Sequence, residues 1–179
     1  MGEYVYVDYS NLFIEGQRVS AVLNRQVGSI TDAMATRTID YNYRIDIDQL
    51  YHFLAGVRPK DIQRAVLFGS ETPDNQWLWA LAQKAEFETI THFRNAANKE
   101  KRVDASLITE LLRDAYKRGT TKDVFRLVAG DGDYIPAVQR LVDDGYNVEV
   151  LFWDHASHGL VKACTNFTSL TNRLDWLAA

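Results

Sequence analysis

The stretch LVAGDGDYIPAV, residues 127–138, decides the fold. An apolar run, Val124 to Ala129, leads into Gly130-Asp131-Gly132-Asp133 and then into a helical pattern carrying Ile135, Val138 and Leu141. The two glycines predict a sharp turn, because a residue without Cβ adopts backbone conformations closed to others. The turn sets two carboxylates where a strand ends and a helix begins, the edge at which open α/β sheets bind ligands. Asp is also a preferred helix cap, so Asp131 and Asp133 read equally as a site or as caps.

Similar junctions recur on either side. EYVYVD, residues 3–8, predicts a strand ending on Asp8, and Ser10 or Asn11 then opens a helix with Leu12, Gly16, Val19 and Leu23 in one stripe. Residues 26–43 are polar and predict a long loop, followed by a brief alternation of Tyr41, Tyr43, Ile45 and Ile47 that fits a short strand. Asp46 or Asp48 caps a helix carrying Leu50, Phe53 and Leu54, which Gly56 and Pro59 stop. Ile62 to Gly69 reads as a second strand, apolar as expected when both faces are covered. Thr72-Pro73 opens a helix whose core stripe is Leu78, Leu81, Ala82 and Ala85, with Trp77 and Trp79 flanking it as covers over the core.

Phe87 to Phe93 reads as the third strand. RNAANKEKRVD, residues 94–104, is the one clearly basic stretch, and Asp104 begins a helix with Ile108, Leu111 and Ala115 on one face and Gly119 at its end. Val124 to Ala129 is the fourth strand and Tyr146 to Phe152 the fifth; a short helix over Ser157 to Ala163 and a terminal element over Phe167 to Leu177 close the chain. Strands alternating with helices predict an α/β fold: a Rossmann-like, mainly parallel sheet with helices on both faces, joined by right-handed crossovers. No repeat or linker divides it, so residues 1–179 read as one domain.

Bulk properties narrow the function. With 46% hydrophobic and 25% charged residues the chain is of ordinary globular composition. Its one cysteine, Cys164, allows no internal disulfide, which points to a reducing, cytoplasmic setting. No apolar run approaches a membrane span, and MGEYVYVDY lacks the basic and apolar regions of a signal peptide. The net charge of −4 provides no global basic field, so a polyanion must be met by a local patch. Arg94, Lys99, Lys101 and Arg102 form that patch, beside Asp104.

Taken together, Asp8, Asp104, Asp131 and Asp133 form an acidic constellation. If the first and fourth strands are neighbours, Asp8 and Asp131 face each other across the crevice, and Asp104, on the face of Ile108 and Leu111, leans toward the sheet. Crowded carboxylates raise one another's pKa unless a cation intervenes. Mg²⁺ takes one or two carboxylates plus waters and phosphates, and such a site can activate water against a phosphodiester.

VDYSNLF, KRVDASLITELL and VAGDGDYIPAVQRLVDDGYNVEVLF together resemble the NYN domain of the PIN-like nuclease superfamily, of the LabA-like kind. YRIDIDQLYHFL and RAVLFGS extend the likeness over nearly the whole chain. The resemblance implies a Rossmann-like sandwich whose clustered Asp residues bind Mg²⁺ or Mn²⁺ for RNA cleavage to 5′-phosphate and 3′-hydroxyl ends. It carries that role to Asp8, Asp104, Asp131 and Asp133, with Asn11 orienting the metal shell or substrate, or else capping the first helix. Two positions depart from the family pattern: Ala129 stands where Ser or Thr is frequent, and Arg102 where a small residue is common.

Competing readings are weaker. A phosphatase of the haloacid-dehalogenase type wants a second Asp two positions after Asp8, where Ser10 stands, and neither a GxGxxG nor a P-loop motif is present. His155, His158 and Cys164 fit no zinc spacing. Trp153 after the fifth strand could stack on a base, although a place at the core edge suits it better, and Cys164 reads as buried and inert. A non-catalytic module that binds RNA or a regulatory protein is the rival from another class. Exposed Trp77 or Trp79 would support a homodimer.

Overall fold

The computed structural model describes residues 1–56, 59–93 and 101–179. Six strands form one parallel sheet in the order β3-β2-β1-β4-β5-β6. They are β1 (Glu3–Asp8), β2 (Ile62–Glu71), β3 (Glu88–Phe93), β4 (Val124–Val128), β5 (Asn147–Phe152) and β6 (Asn166–Ser169). This is the strand order of the doubly wound dinucleotide-binding folds, with its reversal of direction between β1 and β4. The helices are α1 (Tyr9–Leu23), α2 (Ile30–Thr36), α3 (Ile47–Ala55), α4 (Gln76–Lys84), α5 (Lys101–Lys117), α6 (Ile135–Asp143) and α7 (His158–Ala163).

The period-two alternation of β1 divides the core. Val5 and Val7 join one apolar cluster with Leu12, Leu50 and Trp153, while Tyr4 and Tyr6 join the other with Leu107, Leu111 and Tyr134. Each face of the sheet is thus covered, which is why the central strands are apolar almost throughout. Trp153 is wholly buried and its indole N–H donates to the Leu12 carbonyl at 2.9 Å, so it is a core residue and not a stacking platform.

One polar anchor runs through the second face. Asp114 of α5 is fully buried and accepts from the Tyr6 hydroxyl at 2.9 Å and from Arg64 at 2.6 Å. Arg64 also pairs with Glu110 at 2.6 Å. A buried carboxylate needs such partners, and these bind α5 to β1 and β2.

Several local expectations change. The segment 26–43 contains α2, capped by Ser29, whose Oγ accepts from the Asp32 N–H at 3.1 Å; at seven residues the helix is too short to declare a period. Ile45 makes a single antiparallel bridge to Ala178 rather than a strand. In α1 the stripe stops at Val19, and Leu23 is exposed. In α4 Trp79 takes the core place given to Leu81, which is exposed. A 3₁₀ turn, Pro73–Asn75, precedes α4, and another, Gly132–Tyr134, precedes α6. α5 starts at Lys101, so Asp104 lies within its first turn rather than opening it. Cys164 is half-buried, and burial raises its thiol pKa.

Gly130 and Gly132 differ in what they require. Neither has a positive φ. A Cβ on Gly130 would lie 2.1 Å from the Phe152 ring, whereas one on Gly132 would meet Ser157 Oγ at 3.3 Å. Close approach, not backbone freedom, demands the first glycine. Gly130→Ala is therefore expected to destabilise the protein by about 1–3 kcal/mol in denaturant unfolding. Gly132→Ala should change stability by less than about 1 kcal/mol. Equal losses for the two variants would contradict the assignment.

Candidate active site

The site forms at the carboxyl edge between β1 and β4. β1 ends on Asp8, which caps α1 by accepting the Asn11 N–H at 3.1 Å. After β4, Asp131 caps the 3₁₀ turn by accepting the Asp133 N–H at 3.0 Å. Capping and a place in the site therefore coexist in the same two side chains. Asn11 ties the two strand ends together: its Oδ1 accepts the Gly130 N–H at 2.8 Å. That cross-link is neither of the roles expected for Asn11.

The first turn of α5 supplies Asp104. The Tyr134 hydroxyl stands 2.8 Å from Asp8 Oδ2 and 3.1 Å from Asp104 Oδ1. Tyr134 has one hydroxyl hydrogen for these two contacts. If both carboxylates were ionised, one contact would set lone pairs against lone pairs. Burial, reinforced by the Asp104 and Asp131 charges and opposed by the hydrogen bonds from Asn11 and Tyr134, pushes the Asp8 carboxyl up to about 6. Protonated Asp8 can donate to the Tyr134 oxygen while Tyr134 donates to Asp104. Burial and the charges of Asp8 and Asp104 hold the Tyr134 phenol far above its ordinary pKa, so it remains a donor.

A cavity of about 220 Å³ is lined by Asp8, Asp104 and Asp131 together with Asn11, Glu15 and Arg18. Three of the four expected carboxylates thus share one cavity; Asp133 is exposed and does not line it. Among the described residues, no three His, Cys, Asp or Glu side chains are close enough to enclose a metal ion directly. The donor set nevertheless fits a hard cation such as Mg²⁺ or Mn²⁺. Such an ion accepts as few as one or two carboxylates and completes its shell with water and phosphate. Asp8 and Asp104 converge on one hydroxyl and have the chemistry for such a pair.

The expected basic strip lies largely outside the described residues. Arg94 and Lys99 lie outside the described residues, and Lys101 is described only as the first residue of α5. Arg102 is exposed and lines a different cleft with His92 and Ser106. Among the described residues, the cation lining the acidic cavity is Arg18, which sequence reasoning missed. It pairs with Glu15, and its Nε is buried without a hydrogen-bond partner. Glu15 also accepts from, or pairs with, His155 Nε2 at 2.8 Å. Asn11, Ile14, Glu15 and Arg18 recur at helical spacing beside the core stripe of α1, a signal that the period of the helix already contained.

Asp8 makes the folded state take up a proton. Its folded pKa of about 6 exceeds the ordinary 3.8, so its favourable contribution is present below pH 4 and lost as pH rises through 6. In chelator, Asp8→Asn is therefore expected to be more stable than the parent at pH 7, by on the order of 2–3 kcal/mol. The gain should disappear near pH 4. An Asp8→Asn variant less stable than the parent at pH 7 in denaturant unfolding would refute this electrostatic picture.

Among solved structures, the fold is similar to a crystal structure of a protein of unknown function from Vibrio parahaemolyticus. The two share 16% identity with a TM-score of 0.67, over 94% of this chain and 92% of that one. At that identity the likeness speaks for the fold alone. No curated protein matches the sequence. The NYN domain family model matches residues 4–171, nearly the whole chain. Matched from β1 to β6, with its acidic edge between β1 and β4, the chain belongs to the NYN domain family, a nuclease-like fold family.

Proposed function

We propose that this protein is a metal-dependent ribonuclease acting as one NYN domain over the full chain. The observation that carries the reading is the pair of carboxylates, Asp8 and Asp104, converging on the single hydrogen of Tyr134. Such an arrangement is costly for a fold and useful for holding a cation, and strongly perturbed carboxylates in a cleft are a mark of functional sites. Asp8 and Asp104 would hold Mg²⁺ or Mn²⁺, with Asp131 supporting it from the opposite strand end. When bound, the ion supplies charge neutralisation and an activated water for hydrolysis of a phosphodiester, with the 3′-oxygen as leaving group.

The chain's own residues do the rest. Tyr134 donates to a carboxylate and fixes its orientation. Asn11, through Gly130, holds the β4 end at its distance from β1. Arg18, which lines the cavity, would turn its guanidinium to a backbone phosphate there. Asp133 buttresses Asp131 through its backbone N–H. Arg94, Lys99, Lys101 and Arg102 would guide the approaching strand, Arg102 from the neighbouring cleft. Among the described residues no helix is long and apolar enough to cross a membrane.

A second reading has one observation in its favour. Ala129 is fully buried and brings a methyl group to the end of β4, where a hydroxyl could have oriented an acidic neighbour. On that reading the same cavity binds RNA without cutting it.

The test uses labelled single-stranded RNA with Mn²⁺, Mg²⁺ or chelator, beside Asp131→Asn. Asn caps as well as Asp does, so this variant removes charge and keeps the turn. Cleavage is expected to require metal and to fall by 10–100-fold or more in the variant. Identical cleavage by both proteins would overturn the assignment, and binding without cleavage would favour the second reading. In a separate salt titration, Arg18→Ala is expected to weaken RNA binding and to reduce the log–log salt slope by about 0.7, one single-strand phosphate contact. An unchanged slope would remove Arg18 from the phosphate path.

A further inference from the structure

Beside the acidic cavity lies a second one of about 430 Å³, and the two share a wall made of Ser10 and Ile14 of α1 and Ser70 of β2. The chemistry changes across that wall. The first cavity presents carboxylates; the second presents the rings of Tyr9, Phe13, Tyr41 and Trp77. Tyr41 is 73% exposed and Trp77 57% exposed, unusual for large aromatic side chains on one surface. The Trp77 indole N–H donates to the Asp74 carbonyl at 3.0 Å, so its polar edge is satisfied within its own turn and its face is what it offers. Tyr9 and Phe13 stack with centroids 5.5 Å apart and planes 11° from parallel. The Arg44 guanidinium lies 5.9 Å from the Phe13 ring centroid.

Flat ring faces with a guanidinium among them are the means by which proteins hold unpaired bases, since every base has a π-face. Size points the same way. At about 430 Å³ the aromatic cleft falls within the usual range of small-ligand sites, while the acidic cavity of about 220 Å³ is below it and suits a phosphate with an ion. We propose that this aromatic cleft binds a nucleobase of single-stranded RNA, next to the phosphate held in the acidic cavity. The inference rests on the ribonuclease reading and deepens it. Because bases in a duplex are stacked and paired, only an unpaired strand can place a base there, so the cleft makes the protein selective for single-stranded or looped RNA.

The experiment uses the Asp131→Asn protein in Mn²⁺, whose slowed cleavage leaves RNA intact over the time of the measurement, and reads affinity by fluorescence anisotropy. The probes are a labelled single-stranded RNA, a duplex of equal length and a single strand carrying abasic positions. Trp77→Ala in this background is expected to weaken single-strand binding roughly 5- to 150-fold, the worth of one stacked base. Trp77→Phe should restore most of it, and the abasic strand should bind the parent and Trp77→Ala alike. Trp77 is exposed, so an unchanged melting temperature certifies that the variant is folded. Undiminished single-strand binding by Trp77→Ala, or an equal loss on the abasic strand, overturns the cleft while leaving wild-type cleavage as the measure of the ribonuclease reading. Trp77→Ala that dissociates a dimer in sedimentation yet leaves RNA affinity intact overturns it in favour of an interface between copies. If the parent binds none of the probes and wild-type protein cleaves none, the cleft and the ribonuclease reading fall together.

Discussion

Tyr134 has one hydroxyl hydrogen and two carboxylates within hydrogen-bond reach, and much of the structure serves to keep that conflict in place. The parallel pairing of β1 with β4 brings Asp8 and the 129–131 turn to one edge. Asn11 then locks the two strand ends together by accepting the Gly130 N–H, and Gly130 can hold that position only because it has no Cβ to strike Phe152. On the far side, buried Asp114 fixes α5 through Tyr6 and Arg64, so that the first turn of the helix delivers Asp104 to the same hydroxyl. Apolar packing on both faces of the sheet makes the fold; these few polar bonds aim it.

The arrangement works against stability at neutral pH and thereby identifies itself. A buried carboxyl with a pKa near 6 is one the folded state would rather keep protonated. A divalent cation would relieve the repulsion, since two carboxylates and water suffice for it. Helix capping does not compete with this role. Asp8 and Asp131 each satisfy a backbone N–H with one oxygen and keep further lone pairs for the cavity. The alternatives of cap or site, natural when Asp is read along a chain, are joined in space.

How much of this was legible varies with the range of the interaction. The strands and their order of alternation with helices follow from apolar runs and caps, and Asp46 as the cap of α3 is an instance where a local rule sufficed. The likeness of VDYSNLF and VAGDGDYIPAV to NYN domains agrees with the family match over residues 4–171. Short or tertiary features were not legible. α2 has too few residues to show a period, and Trp79 displaced Leu81 because Gly69 leaves room for its ring, which only the packing reveals. The importance of Tyr134 was hidden for the same reason: its partners lie 126 and 30 residues away. Arg18 was passed over because a basic strip near Asp104 drew the phosphate role to itself, whereas among the described residues the cation lining the acidic cavity stands on α1. Spacing from Asp8 along one helical face would have found it.

The central claim is that the β1–β4 edge holds a divalent cation between Asp8 and Asp104, with Asp131 close by. Anomalous diffraction from crystals soaked in Mn²⁺ tests it most directly. The account predicts an anomalous peak bounded by these carboxylates, with water completing the shell and the Tyr134 hydroxyl still on one of them. Well-occupied Mn²⁺ elsewhere in the crystal, with no peak in this cavity, would contradict it.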